Sequence, residues 1–251
     1  MEAMPDDDPL VARLRAAGCV FAEAEARVLR EAASDAAELE EMTGARLAGR
    51  PLEHVVGWAD FAGIRVQLDN GVFVPRQRSR LLVDLGAARA PAGGTVVDLC
   101  CGSGAIGAAI RARRDDVTVH AADLDPRAAA CARLNLPPDH VHEGDLFDAL
   151  PPSLRGKVDM LVMNAPYVPT DRIPHMPSEA RDHEPRLALD GGADGLDVHR
   201  RVVAAMHPWL TSDGVLVVEV SPDQAPTLIA LLATAEMVAD ADRGGTAVVG
   251  R

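Results

Sequence analysis

Asn164, Pro166 and Tyr167 stand together in the stretch "VMNAPYVPT", at the end of an apolar run. Asparagine offers both an acceptor and donors, and tyrosine a flat ring. Two readings compete. Asn and Pro are common turn residues, so this can be a plain turn that closes a buried strand. Alternatively the four residues Asn164, Ala165, Pro166 and Tyr167 hold an amide nitrogen and orient it for reaction. Tyr167 is the only tyrosine in the chain.

A second group lies earlier. "VVDLCCGSGAIG" spaces Gly102, Gly104 and Gly107 as GxGxxG, directly after an apolar run and at the start of a helical one. Such glycines let backbone pass close to a ligand, and a helix N-terminus offers unpaired N–H groups. In the next apolar run, "AADLDP" sets Asp123 where a carboxylate can accept both hydrogen bonds of a ribose diol. A nicotinamide-binding unit would show the same glycines and the same acid. Asp98, inside the first strand, tilts the choice. Negative charge there opposes a pyrophosphate but suits a cationic ligand such as S-adenosylmethionine.

These groups need a sheet edge to bring them together. From Gly94 onward strand and helix patterns alternate, which implies a mostly parallel sheet wrapped by helices. The expected strands are 95–100, 117–123, 140–147, 158–164, 214–221, 237–241 and 246–251. The expected helices are 104–113, 126–135, 198–210 and 226–235. Only a short Arg-Gly-Gly link separates the last two strands, so they should pair antiparallel. Upstream, "FAGIRVQLDNGVFVP" alternates apolar and polar residues, and Asn70-Gly71 is a hairpin signal, with Pro75 closing it. Residues 8 to about 56 read as helices. Asp8 caps the first, with Pro9 at its first position and Gly18 ending the turn. The second places Phe21, Ala24, Val28 and Leu29 near one face. Asp35 caps a third through Met42, and a fourth covers Arg46 to Val56. Asp6, Asp7 and Asp8 form a solvated end and a cap.

Bulk properties narrow the function classes. The chain has 251 residues and a formal net charge of -13, which disfavours unaided binding to a phosphate backbone. Its four cysteines, Cys19, Cys100, Cys101 and Cys131, show neither a CxxC pair nor zinc spacing, so free thiols and no metal are expected. No apolar run reaches membrane-spanning length, and "MEAMPDDDPL" has no apolar signal core. A cytoplasmic protein without membrane contact is the expectation.

Several stretches together resemble one family. "DLCCGSGAIG" is similar to the cofactor loop of class I S-adenosylmethionine-dependent methyltransferases. "RPLEHVVGWADFAG", "FVPRQRSRLLVD", "NAPY" and "EPRLALDGGADGLDVHRRV" resemble, more closely, the linker, the PRPETE segment, the NPPY loop and a long signature of the protein N5-glutamine methyltransferases that modify peptide-chain release factors. The resemblance covers roughly Arg46 to Arg251. It implies a Rossmann-like α/β fold with a mostly parallel seven-stranded sheet whose last strand is antiparallel. It implies a helical substrate-recognition domain over 1–56, a β-hairpin linker over 57–78 and a methyltransferase domain over 79–251.

The resemblance also assigns roles. Cys100, Cys101, Gly102, Ser103 and Gly104 would line the methionine part of S-adenosylmethionine. Asp123 would hold the ribose, Asp145 and Leu146 would flank the adenine, and Asn164 would border the cofactor. Asn164, Ala165, Pro166 and Tyr167 would hold the substrate amide, with Pro75 and Arg76 nearby. A carboxamide nitrogen is a poor nucleophile, so holding it matters more than deprotonating it. The Asn164 side-chain oxygen would accept one N–H, the Ala165 carbonyl the other, and Tyr167 would stack on the flat amide. The partner would be a release factor or similar protein.

The chain departs from the family in two places. Ala165 replaces a proline but keeps its carbonyl and still precedes Pro166, which favours extended geometry. Arg78 and Arg80 stand where the family has acids, and as added charges at the substrate entry they would favour an acidic or phosphate-bearing segment. Other readings stay open. They are an N6-adenine nucleic-acid methyltransferase, against which the acidic balance weighs, a small-molecule N-methyltransferase, and a silent cofactor-binding paralogue. Glu219 could approach the site or simply pair with an arginine. His175 and His183 read as solvated, and Trp58 and Phe61 as packing residues.

Overall fold

The computed structural model describes residues 8–251. Four helices come first: α1 (Pro9–Ala16), α2 (Ala22–Ala32), α3 (Ala36–Leu47) and α4 (Leu52–Val56). The Asp8 carboxylate accepts the Leu10 N–H and the Asp35 carboxylate accepts the Glu38 N–H, so both expected caps form. Asp6 and Asp7 lie outside the described residues. The apolar face of α2 differs from the expected one. Ala22, Ala26 and Leu29 are buried against Leu10, Val11 and Leu14, whereas Phe21 is 72% exposed. Phe21 occupies the non-helical cap position of α2, so it falls off the i, i+4, i+7 stripe that packs. α3 runs five residues past Met42, and α4 is shorter than the expected fourth helix.

The hairpin turns at a different place from the one expected. β1 (Trp58–Phe61) pairs with β2 (Ile64–Gln67) around Ala62 and Gly63, which have φ of 51° and 91°. Two positive-φ residues make the tight turn whose twist suits a two-residue hairpin. Asn70-Gly71 does turn, with the Val72 N–H donating to the Asp69 carbonyl, but no strand follows. Val72 and Val74 instead pack with Leu68, Ala128 and Cys131. Burial against the main body outweighs ladder pairing for this segment.

The main sheet contains β3 (Thr95–Leu99), β4 (Thr118–Asp123), β5 (Val141–Glu143), β6 (Val158–Met163), β7 (Leu210–Glu219), β8 (Ala235–Asp240) and β9 (Gly245–Gly250). Their order is β5-β4-β3-β6-β7-β9-β8. β3 through β7 are mutually parallel, while β9 runs antiparallel to both β7 and β8, as the short final link required. The helices around the sheet are α5 (Arg80–Arg89), α6 (Ala105–Arg113), α7 (Pro126–Asn135), α8 (Ser178–His183), α9 (Asp197–Ala205) and α10 (Ala225–Ile229). The result is a seven-stranded Rossmann-like sheet between helical layers.

The two faces of each strand feed separate cores. Val96, Met160 and Val162 pack with Leu82 and Ile110 on one side. Val97, Leu161 and Met163 pack with Val202, Met206 and Trp209 on the other. Strand order reverses between β3 and β6, and ligands in such sheets bind outside the strand carboxyl ends at that point. Leu99 pairs with Met163, so Cys100 and Asn164 leave the sheet side by side.

Three expected elements end four or more residues early. The expected strand 140–147 ends at Glu143, because Gly144 and Leu146 take φ of 148° and 49° and a 3-10 turn follows. α10 stops at Ile229. α9 stops at Ala205, and α5 and α8 were not expected from the sequence.

Candidate active site

The glycine turn is built by strained backbone. Cys100 has φ of 56°, a left-handed value that costs a non-glycine residue energy, and Gly102 follows at 55°. This pair of bends carries the chain out of β3 and over the sheet edge. The Gly102 N–H donates to Asp123 Oδ2 at 2.8 Å, and the Asp125 N–H donates to Asp123 Oδ1 at 2.9 Å. Asp123 is thereby locked at the end of β4. Burial pushes its pKa up despite those two bonds.

The three glycines do different work. A Cβ on Gly102 would meet only Phe73, at 4.0 Å, so this position is open to a ligand. A Cβ on Gly104 would lie 3.2 Å from the Ala132 Cβ and 3.0 Å from Leu136. Gly104 therefore permits α7 to pack close. At Gly107 the close neighbours are Val119 and Asp98.

Asp98 is fully buried, and its Oδ2 accepts the Gly107 N–H at 2.9 Å. Burial pushes its pKa up to about 7. It lies beneath the start of α6 and is not among the residues that line the cleft, whereas the sequence reading set its negative charge near a cationic ligand. Its position is explained by the first turn of α6, whose unpaired N–H groups need an acceptor.

One cleft of about 180 Å³ lies at the reversal point. Cys100, Cys101, Gly102 and Ser103 line it from the end of β3, and Asp123 from the end of β4. Asp145 and Leu146 line it beyond β5, and Asn164, Pro166 and Pro75 border it from β6 and the hairpin side. The structure thus brings together ten of the fourteen residues singled out in the sequence. Burial pushes the Cys100 and Cys101 thiols up, which leaves them protonated and unreactive. All four cysteines are free.

Four expected residues do not line the cleft, each for a visible reason. Gly104 faces α7. Ala165 is buried in the core under the loop. Arg76 pairs with the buried Glu184 at 2.5 Å. Tyr167 is turned so that its hydroxyl donates to Glu219 Oε1 at 3.0 Å and accepts from Arg78 Nη2 at 2.7 Å. Burial and the neighbouring Glu219 carboxylate push the Tyr167 phenol well above its usual value.

The two arginines in place of family acids need a corrected reading. Arg78 Nε lies 3.0 Å from Glu219 Oε1, so its charge is spent inside the protein. Arg80 does not border the cleft. Neither presents a free positive charge to the cleft. Glu219 is the arginine-paired carboxylate, and through Tyr167 it also reaches the loop. His175 and His183 do not line the cleft, and Phe61 is buried in the core as expected.

The segment "LALDGGADGLD" explains its own composition. The Gly191 N–H donates to the Val168 carbonyl at 2.9 Å, and Val168 N–H to Leu189 at 3.0 Å, so the strap pairs with the chain just after Tyr167. A Cβ on Gly191 would lie 2.7 Å from the Pro166 carbonyl. Gln224 Nε2 donates to the Tyr167 carbonyl at 2.8 Å. The loop therefore rests on a glycine floor.

Two further cleft residues were missed from sequence. Ser79 is buried, lines the cleft and accepts from Asn164 Nδ2 at 3.2 Å. Arg201 of α9 pairs with Asp145 at 2.6 Å. Ser79 sits inside the segment similar to PRPETE, so a signal existed. Arg201 sits inside the long signature "EPRLALDGGADGLDVHRRV", so a signal existed there too.

Residues 63–175 match the methyltransferase small domain family. The chain is 40% identical over 185 residues to a release factor glutamine methyltransferase of Streptomyces coelicolor, across 71% of this chain and 66% of that relative. It is 31% identical over 256 residues to one of Bradyrhizobium diazoefficiens, across 92% and 86% of the two chains. A solved release factor-specific protein-(glutamine-N5) methyltransferase from Alicyclobacillus acidocaldarius is similar over 70% of this chain and 92% of that one, with a TM-score of 0.44 and 22% identity. The match thus spans about two thirds of the Streptomyces relative and most of the Bradyrhizobium one. With the second of these covered nearly end to end, the chain belongs to the release factor glutamine methyltransferase family.

Proposed function

We propose that the chain methylates the side-chain amide nitrogen of a glutamine in a peptide-chain release factor, with S-adenosylmethionine as methyl donor. The observation that carries this reading is that Asn164 and Asp123 border the same cleft. One can hold an amide and the other a ribose.

The residues present fit the donor. Asp123 has both oxygens anchored by single backbone N–H groups, which leaves a lone pair on each for a diol. Gly102 leaves open space where a side chain would intrude. Leu146 and Val198 offer apolar surface for a flat base. Bound there, S-adenosylmethionine supplies a methyl group activated by a positively charged sulfur.

The protein's own work is to hold and orient. The Asn164 Oδ1 accepts one N–H of the substrate amide and the Ala165 backbone carbonyl accepts the other. Both hydrogen bonds fix the plane of the amide, so the nitrogen p orbital, perpendicular to that plane, is presented in one direction to the methyl donor. Pro75, Pro166 and Leu187 give the cleft apolar walls, which favour exclusion of water once a substrate covers it. Residues 1–56 serve as the substrate-recognition domain, 57–78 as its linker and 79–251 as the catalytic domain. Arg46 of α3 supports this coupling, since it pairs both with Glu25 and with Glu179 of α8 at 2.6 Å.

Mass spectrometry of a purified release factor, after incubation with the protein and isotope-labelled S-adenosylmethionine, tests the proposal. One added methyl on a glutamine side chain is expected. An unmodified release factor would refute it.

A further inference from the structure

The turn formed by Gln77–Ser79 reaches both ends of the four-residue loop with two consecutive side chains. Ser79 Oγ receives Asn164 Nδ2 at 3.2 Å. Arg78 Nη2 donates to the Tyr167 hydroxyl at 2.7 Å, and its Nε bonds Glu219 Oε1 at 3.0 Å. Tyr167 donates to that same oxygen at 3.0 Å. We infer that Ser79 and Arg78 are positioning residues for amide methylation. Ser79 ties the Asn164 carboxamide to the cleft wall, and Arg78, with Glu219, fixes Tyr167. The inference rests on the amide-methylation reading.

The chemistry of a carboxamide gives Ser79 its importance. A primary amide substrate presents N–H donors, so the site must present an acceptor. The Asn164 side chain carries an oxygen on one arm and an NH2 on the other. With the NH2 drawn to Ser79, the oxygen turns the opposite way. With the amide flipped, NH2 would meet N–H, and the substrate nitrogen would be repelled. Ser79 is 1% exposed, so water does not compete for this bond. A buried hydroxyl thus restricts the rotation of the Asn164 side chain and keeps its carboxamide at the cleft.

Arg78 acts at the other end. Glu219 ends β7 and is 2% exposed, so its carboxylate is held in place by the sheet. Arg78 neutralises it, and the Tyr167 hydroxyl sits between the two charges. The ring is then fixed from its tip while Gln224 and the glycine strap hold its backbone. The arginine has become part of the site's frame.

Methyl transfer to a purified release factor should be measured for wild type, Ser79→Ala, Ser79→Thr and Ser79→Val. Affinity for S-adenosylmethionine and melting temperature should be recorded beside it. Ser79→Ala is expected to lower kcat on the order of tenfold or more while the cofactor Kd stays within about twofold. Ser79→Thr should keep most of the rate, and Ser79→Val, nearly the same shape without the hydroxyl, should lose it. Wild-type kcat in Ser79→Ala, or equal rates in the Thr and Val variants, would overturn the role of Ser79.

Tyr167 gives an independent readout for Arg78. It is the chain's only tyrosine, so a carbon-13 tyrosine label reports one ring. In Arg78→Lys the ring resonances should shift and kcat should fall. Unchanged tyrosine resonances would overturn the role of Arg78. A wild-type protein that leaves release factor unmethylated would sink the proposed function. The tyrosine spectrum would still decide the Arg78 contact.

Discussion

Arg78 and Glu219 are 141 positions apart in the chain and 3.0 Å apart in the fold. Glu219 is buried at the end of β7, while Arg78 is 43% exposed and shares the Tyr167 hydroxyl with it. A charge that looks like a specificity determinant in the sequence is a structural partner in the molecule.

Arg78→Glu should therefore damage the protein rather than adapt it to a substrate. It would set a second carboxylate against a buried one. Losing one partner of a buried pair costs several kcal/mol, reduced here to about 1–3 kcal/mol by the exposure of Arg78. The melting temperature should fall and release-factor methylation with it. The exchanged pair Arg78→Glu with Glu219→Arg should recover part of the stability. A single variant as stable as wild type would show that the pair contributes nothing.

Asp123→Ala should weaken S-adenosylmethionine binding by about 1.5–3 kcal/mol, the usual worth of hydrogen bonds to a charged group. Calorimetry reads this directly. The Gly102 and Asp125 N–H groups also lose their acceptor, so some stability should go as well. NAD titrated into wild type should give no heat. Unchanged cofactor affinity in the variant would remove Asp123 from the site.

Asn164→Ala should leave cofactor affinity near the wild-type value and cut turnover by about 100-fold or more, since misplacing the reacting amide is costly. Steady-state rates and calorimetry on the same preparation separate the two quantities. A normal rate on release factor would rule out the amide clamp.

Asp98 makes stability depend on pH in a direction opposite to that of a salt-bridged acid. Its pKa is about 7 in the folded protein against an ordinary 3.8. Between those values the unfolded chain ionises it and the folded protein does not. The resulting penalty is absent below about pH 4, grows as pH rises, and is complete above about pH 7. Asp98→Asn keeps an oxygen for the Gly107 N–H and removes the ionisation. Its unfolding free energy, read by denaturant titration, should gain on wild type more at pH 8 than at pH 5, by an amount on the order of a few kcal/mol. An equal difference at both pH values would show that Asp98 ionises freely in the fold.

Much of the architecture could be read locally. The Asp8 and Asp35 caps, the strand–turn–helix around Gly102 and the antiparallel closing strands each depend on residues a few positions apart. Where a local signal met a burial demand, burial decided. The Asn70-Gly71 turn lost its second strand because Val72 and Val74 pack on Ala128 and Cys131. The face of α2 shifted because Ala22, Ala26 and Leu29 meet α1.

By itself the sequence determined the fold class and marked the glycine loop, Asp123 and the loop at Asn164, which the structure brings to one cleft. These are carried by short-range spacing, which sets backbone shape wherever the chain goes. Only the tertiary structure decided which side chains of those loops face the cleft. Ser79 meets Asn164 across 85 positions and Arg78 meets Tyr167 across 89. Tyr167 is therefore a tethered ring, and Asp98 a buried acid under α6. Such pairings arise when the strand order reverses between β3 and β6 and brings distant segments to one edge. No local spacing encodes that encounter, because the partners are chosen by sheet register and by the burial of whole faces.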